Sequence, residues 1–101
     1  MTTHRESRRP TYDWAVRIAE GYLQDDLKVR DLYAELLPRL EYYRRRYPRS
    51  WKPRDAPLYE FIAESWVLAF RALKGDETSR ALRRLIARWL PRLKQARRLR
   101  E

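Results

Sequence analysis

The sequence predicts an all-α protein, a compact bundle of four to five helices with a basic disordered N-terminal tail. Three observations carry this. Apolar residues recur every three to four positions in four separate segments, which is the helical period. No segment shows the strict apolar–polar alternation of a half-buried strand. Between the segments stand Gly, Asp and Pro clusters of the kind that stop and restart helices.

Residues 1–10 are polar and basic, lack periodicity and end at Pro10, so they read as a flexible tail that holds the single histidine, His4. The domain proper is then 11–101, long enough for one modest core. Thr11 is a good N-cap, and Asp13 falls in the first turn, where a helix favours negative charge. Trp14, Ile18 and Tyr22, with Ala15 and Ala19, give the first helix one apolar face, and Gly21 with Gln24-Asp25-Asp26 should end it.

Asp25 or Asp26 is then expected to cap the second helix. Val29, Leu32, Tyr33, Leu36, Leu37, Leu40 and Tyr43 form its buried stripe. Pro38 interrupts that stripe, so the helix should kink there or restart with Pro38 in its first turn. Pro48, Pro53 and Pro57 around Ser50-Trp51-Lys52 mark a loop. From Leu58 to Lys74 the pattern is apolar nearly all round, with only Glu60, Glu64 and Arg71 as a polar edge. Such a helix is central in a bundle or shared with a neighbouring subunit. Gly75 is a natural stop, and Asp76, Thr78 or Ser79 a natural restart. The last helix sets Leu82, Leu85, Ile86, Trp89, Leu90 and Leu93 against Arg80, Arg84 and Arg88 on the opposite side.

An internal echo links Ala34-Glu35-Leu36-Leu37-Pro38-Arg39-Leu40 to Ala87-Arg88-Trp89-Leu90-Pro91-Arg92-Leu93. A duplicated hairpin would produce it. In a chain so rich in Ala, Leu and Arg, coincidence produces it more readily.

Charge is the strongest functional signal. The chain carries 24 basic and 14 acidic residues, a formal net charge of +10. Arg39–Arg54 holds seven basic residues against Glu41 alone, and Arg80–Arg100 holds nine and no acid. The rest of the chain is slightly acidic, so the excess sits in two blocks, as a site for a polyanion requires. Arginine outnumbers lysine twenty to four. That suits bidentate contacts to phosphate, and arginine-favouring codons would produce the same ratio. They would not produce the clustering.

Several function classes have no support. With no cysteine and one histidine, a disulfide scaffold, a Cys-type zinc site, a His cluster and a Ser–His or Cys–His nucleophile are all excluded. No glycine-rich loop can hold a nucleotide, and Asp25-Asp26 and Asp76-Glu77 stand where caps are expected. The expectation is therefore not an enzyme, with no cofactor and no metal. No apolar run reaches the roughly 18 residues of a membrane span, so a cytoplasmic protein is expected. The basic last helix could lie on anionic lipid, but so small a core needs Trp89 and its aliphatic neighbours.

Nucleic acid fits better. Residues Tyr42 to Arg54 interleave four aromatics with six basic side chains. Arg44, Arg45, Arg46, Arg49, Lys52 and Arg54 can meet phosphates, while Trp51, held between prolines, can stack on an unpaired base. Tyr43 is expected to pack inward. Arg80, Arg84 and Arg88 look like a phosphate-tracking face, since no Asn and only Gln95 are at hand for base edges. The expected partner is RNA, with single-stranded DNA as the alternative. Binding should be weakly sequence-specific and strongly salt-dependent.

Two segments also resemble a family. Val29-Arg30-Asp31-Leu32-Tyr33-Ala34-Glu35-Leu36 resembles the aliphatic-Arg-x-aromatic-Tyr-x-Glu-aliphatic signature of the small helical (Csm-type) subunit of type III CRISPR effector complexes. Leu68-Ala69-Phe70-Arg71-Ala72-Leu73-Lys74 is similar to that family's Leu-Ala-Tyr-Ala-x-x-Arg segment, with Lys74 in place of the arginine. Leu27 and Lys28 stand where the family has a Ser/Thr and a Gln, and the proline before the second segment is missing. The resemblance implies a non-catalytic subunit in antiviral defence. Copies would stack on one another inside a ribonucleoprotein, beside its other subunits, and support the guide–target duplex. It also implies backbone contacts at Arg30 and Lys74. The alternative from another class is a phage- or plasmid-encoded regulator whose basic face docks on an acidic protein.

Overall fold

The computed structural model describes residues 9–46, 56–75 and 78–100. It contains α1 (Tyr12–Leu23), α2 (Val29–Arg46), α3 (Ala56–Leu73) and α4 (Ser79–Arg100), with no strand among the described residues. The all-α expectation holds. The expected tail lies mostly outside the described residues; of its last two positions, Arg9 is exposed and Pro10 is buried.

Local chemistry explains most of the boundaries. Thr11 caps α1 as expected, its hydroxyl accepting from Trp14 N at 3.0 Å. Gly21 does not end α1, which runs on to Leu23. The stop comes from Asp25, whose φ of +66° is left-handed. Asp25 N donates to Tyr22 O at 3.1 Å and Asp26 N to Gly21 O at 2.8 Å, the paired bonds of a Schellman turn. A Cβ on Gly21 would meet Leu27 Cδ1 at 3.2 Å, so the glycine lets Leu27 fold back over the turn. With Asp25 and Asp26 occupied there, neither caps α2. Asp31 takes that role from inside the helix, accepting from Lys28 N at 3.0 Å, which is half of a capping box.

Pro38 does not restart α2, which is continuous through it. The ring removes the donor to the carbonyl four residues back. One residue further on, Arg39 Nη1 donates to Glu35 O at 3.0 Å, supplying a side-chain bond where the proline disturbs the ladder. Gly75 adopts the positive φ of a helix stop, +86°, and Thr78 opens α4 by accepting from Leu82 N.

The helices close around one core. Leu32, Leu36, Phe61, Ile62, Leu82, Ile86 and Leu93 are fully buried, each worth about 1.5–3 kcal/mol relative to exposure. Ala15, Ala19 and Ala69 are equally buried, leaving room for helix approach. α1 packs mainly on α4 and α2 on α3; α3 and α4 join these pairs, and α1 touches α2 more sparsely. α2 and α4 are therefore diagonal.

Neighbouring helices run antiparallel. Tyr43 meets Tyr59 at 5.3 Å and Tyr33 meets Phe70 at 6.3 Å between ring centroids. Phe61 lies beside Trp89, and Thr78 reaches Leu68 O. The C-terminal turns of α2 and α4 thus share one end of the bundle.

Candidate nucleic-acid interface

α4 divides its basic residues between two tasks. On the flank facing α1, Arg83 pairs with Asp25 at 3.2 Å, Lys94 with Glu20 at 3.1 Å and Arg97 with Asp13 at 3.5 Å. Arg83 also donates through Nη2 to Leu23 O, capping the end of α1. These three bridge α1, and the turn that follows it, to α4. They use three of the thirteen acidic residues that the sequence places outside its basic blocks.

On the outer face, Arg80, Arg84 and Arg88 are exposed and have no acidic partner among the described residues. Their spacing of four residues sets successive guanidinium stems about 6 Å apart along the helix, close to two nucleotide steps of about 3.4 Å each along a duplex strand. Gln95 and Arg98 extend this exposed face toward the C-terminus. Arg80, Arg83 and Arg84 also line a shallow groove with Leu23 and Ala87, so this end of the stripe has an apolar floor and a cationic rim. Arg92 lies over the Trp89 ring at 4.0 Å, and Trp89 Nε1 donates to Glu64 Oε1 at 2.9 Å.

The mid-chain block fares differently. Arg44, Arg45 and Arg46 occupy the last turn of α2, where positive charge complements the helix dipole. All three are exposed, and Arg46 lies 5.7 Å from the Tyr42 ring centroid. Tyr43 packs inward, as expected. Arg39, the first basic residue of that block, is buried instead: it stacks over Trp14 at 4.4 Å and pairs with Glu35 at 3.1 Å. Arg49, Trp51, Lys52 and Arg54 lie outside the described residues.

Arg30 and Lys74 form a third group. Arg30 is exposed one turn before Tyr33, and Lys74 Nζ lies 4.6 Å from the Phe70 ring centroid. Tyr33 and Phe70 are themselves in contact, so the two cations flank one aromatic cluster. The cluster lies on the α2–α3 side of the bundle. Arg30 and Arg45 accordingly sit on α2, diagonal to the helix that carries the α4 stripe. The sequence did not reveal this division, because it depends on which helices pair. The rest of the first family-like motif has structural roles: Tyr33 stacks on Trp66 at 6.2 Å, and Glu35 accepts from Trp14 Nε1 at 2.8 Å.

Among the described residues no group of His, Asp or Glu side chains is arranged to hold a metal, and no helix is long and apolar enough to cross a membrane. No protein-family model, curated protein or solved structure matches the chain.

Proposed function

We propose that this chain is a non-catalytic nucleic-acid-binding protein that grips the phosphate backbone. Its proposed setting is a guide-RNA effector ribonucleoprotein, as the small helical subunit supporting the guide–target duplex or the target strand. The observation that carries the binding is the α4 stripe. Arg80, Arg84 and Arg88 stay exposed with no acidic partner among the described residues, while Arg83, Lys94 and Arg97 on the next flank are held by α1 carboxylates and the turn that follows α1. A stripe meant only to solubilise the helix would gain from mixed signs; this one is of a single sign and regularly spaced. Arginine contacts of this type position a protein on a backbone without reading sequence.

Arg44, Arg45 and Arg46 supply a second contact at the end of the bundle. Basic surfaces on two diagonal helices suit a protein lodged between a nucleic acid and other components of an assembly. The ribonucleoprotein setting rests on the resemblance of 29–36 and 68–74 to the CRISPR small subunit, and cytoplasmic residence follows from it.

Titration of single-stranded RNA, single-stranded DNA and an RNA duplex at two salt concentrations tests the reading. Binding that weakens steeply with salt and little with sequence is expected. Absence of binding at low salt would overturn it.

A further inference from the structure

The bundle leaves one apolar surface uncovered. Val67, Phe70 and Leu73 on α3 are exposed at 46%, 37% and 44%, although a single-domain core would bury such residues first. Tyr59, Ala63, Trp66, Phe70 and Leu73 follow one another at intervals of four, three, four and three. That is the 3.5-residue period of a coiled-coil seam. Part of the seam faces α2, where Tyr59 meets Tyr43 and Trp66 stacks on Tyr33. Val67, one position beyond Trp66, lies beside that seam and faces outward.

The charges beside this surface are ordered along the helix. Glu60 stands seven residues before Val67 on α3, and Lys74, in the turn directly after the helix, seven residues after it, so the three follow one line. Among the described residues, Glu60 is exposed with no partner and Lys74 rests only on its own Phe70 ring. A twofold axis passing beside Val67, perpendicular to α3, would set each residue opposite the one equally far on the other side. Glu60 of each copy then faces Lys74 of the other. The small Ala63 falls against the stretch carrying Phe70, leaving space for the ring. A parallel pairing would instead oppose Glu60 to Glu60 and Lys74 to Lys74.

We propose that α3 is the self-association surface of this protein, pairing antiparallel with α3 of a second copy about a twofold axis at Val67. The surface is self-complementary in charge and shape, as an isologous contact must be. A single helix pair buries less than a standard interface, so the dimer is reversible. Arg80, Arg84 and Arg88 lie on α4 and stay free. The inference holds whether or not the protein binds nucleic acid.

The chain has no cysteine, so introduced thiols report the geometry. Val67→Cys lies on the axis and should give a disulfide-linked dimer under mild oxidation. Glu60→Cys and Lys74→Cys should each resist a short bis-maleimide alone and cross-link when the two proteins are mixed. In sedimentation, the wild type should show a concentration-dependent monomer–dimer equilibrium. Glu60→Lys or Lys74→Glu should weaken it about tenfold, and the double swap should restore it. Val67→Asp should leave a helical monomer, since Val67 is not in the core. A wild type that stays monomeric at every concentration would overturn the proposal. So would a dimer that survives Val67→Asp, or a Glu60→Cys protein that cross-links to itself as well as to its complement.

Discussion

Trp14 Nε1 donates to Glu35 Oε1 at 2.8 Å, and the same oxygen receives Arg39 Nη1 at 3.1 Å. Arg39 in turn lies over the Trp14 ring at 4.4 Å. One carboxylate oxygen therefore accepts from a buried indole and a buried guanidinium, and joins α1 to α2 where their packing is otherwise sparse. Glu35→Ala should cost about 1–3 kcal/mol by removing the acceptor that both donors share. Glu35→Gln should cost less, since the amide oxygen still accepts. Urea denaturation of the two variants measures the difference, and equal stabilities would contradict this account.

The three α1–α4 ion pairs are partly exposed, with side chains from 36% to 83% accessible. Solvent screening limits each to about 0.2–1 kcal/mol. The Asp13→Asn, Glu20→Gln double variant should thus fold nearly as stably as the wild type. It releases Arg97 and Lys94 from their carboxylates, so RNA binding should tighten at low salt and the salt dependence should steepen. Parallel thermal melts and titrations check both halves.

Replacing Arg80, Arg84 and Arg88 together by Ala removes up to three phosphate-binding side chains and no salt bridge among the described residues. The slope of log K against log salt should fall by about 0.7–0.9 for each phosphate that the variant no longer neutralises. Replacing Arg44, Arg45 and Arg46 tests the second surface in the same way. A slope unchanged by either triple variant would remove the basic surfaces from the binding site.

Burial pushes the Tyr22 phenol above its ordinary value of 10.0; the Arg83 guanidinium pulls it partly back, and Asp25 adds to the rise. The folded state then keeps this proton after the unfolded chain has lost it. The stability Tyr22 contributes is complete below about pH 10 and is lost as pH climbs through the raised folded value. Tyr22→Phe should remove this dependence and move the alkaline unfolding midpoint upward. Circular dichroism followed through an alkaline titration reads that shift.

The residues that announce helices locally, Thr11, Gly75 and the apolar spacing of Trp14, Leu36, Phe61 and Trp89, all behave as the sequence indicates. The deviations have non-local causes. Pro38 sits inside an unbroken helix because tertiary packing and the Arg39–Glu35 O bond support the backbone there. Asp25 and Asp26 close α1 rather than opening α2, a choice fixed by turn geometry. Of the basic residues, Arg39, Arg83, Lys94 and Arg97 are engaged across or along helices. Their partners lie up to 84 residues away in the chain, a distance no spacing pattern conveys. Arg80, Arg84 and Arg88 were legible because a stripe at four-residue intervals is a property of one helix alone.

The pairing of α1 with α4 sets an order of assembly. α2 and α3 are consecutive and can zip together through a short loop closure, whereas α1 must wait for α4, which is synthesised after the whole α2–α3 hairpin. Until then the face of α1 that packs on α4 lacks the helix that covers it. Closing that long loop carries the larger entropic cost. The slow step of folding should accordingly be the docking of α1 on α4. A nascent chain stalled before Leu82 would present an uncovered apolar surface to whatever lies nearby.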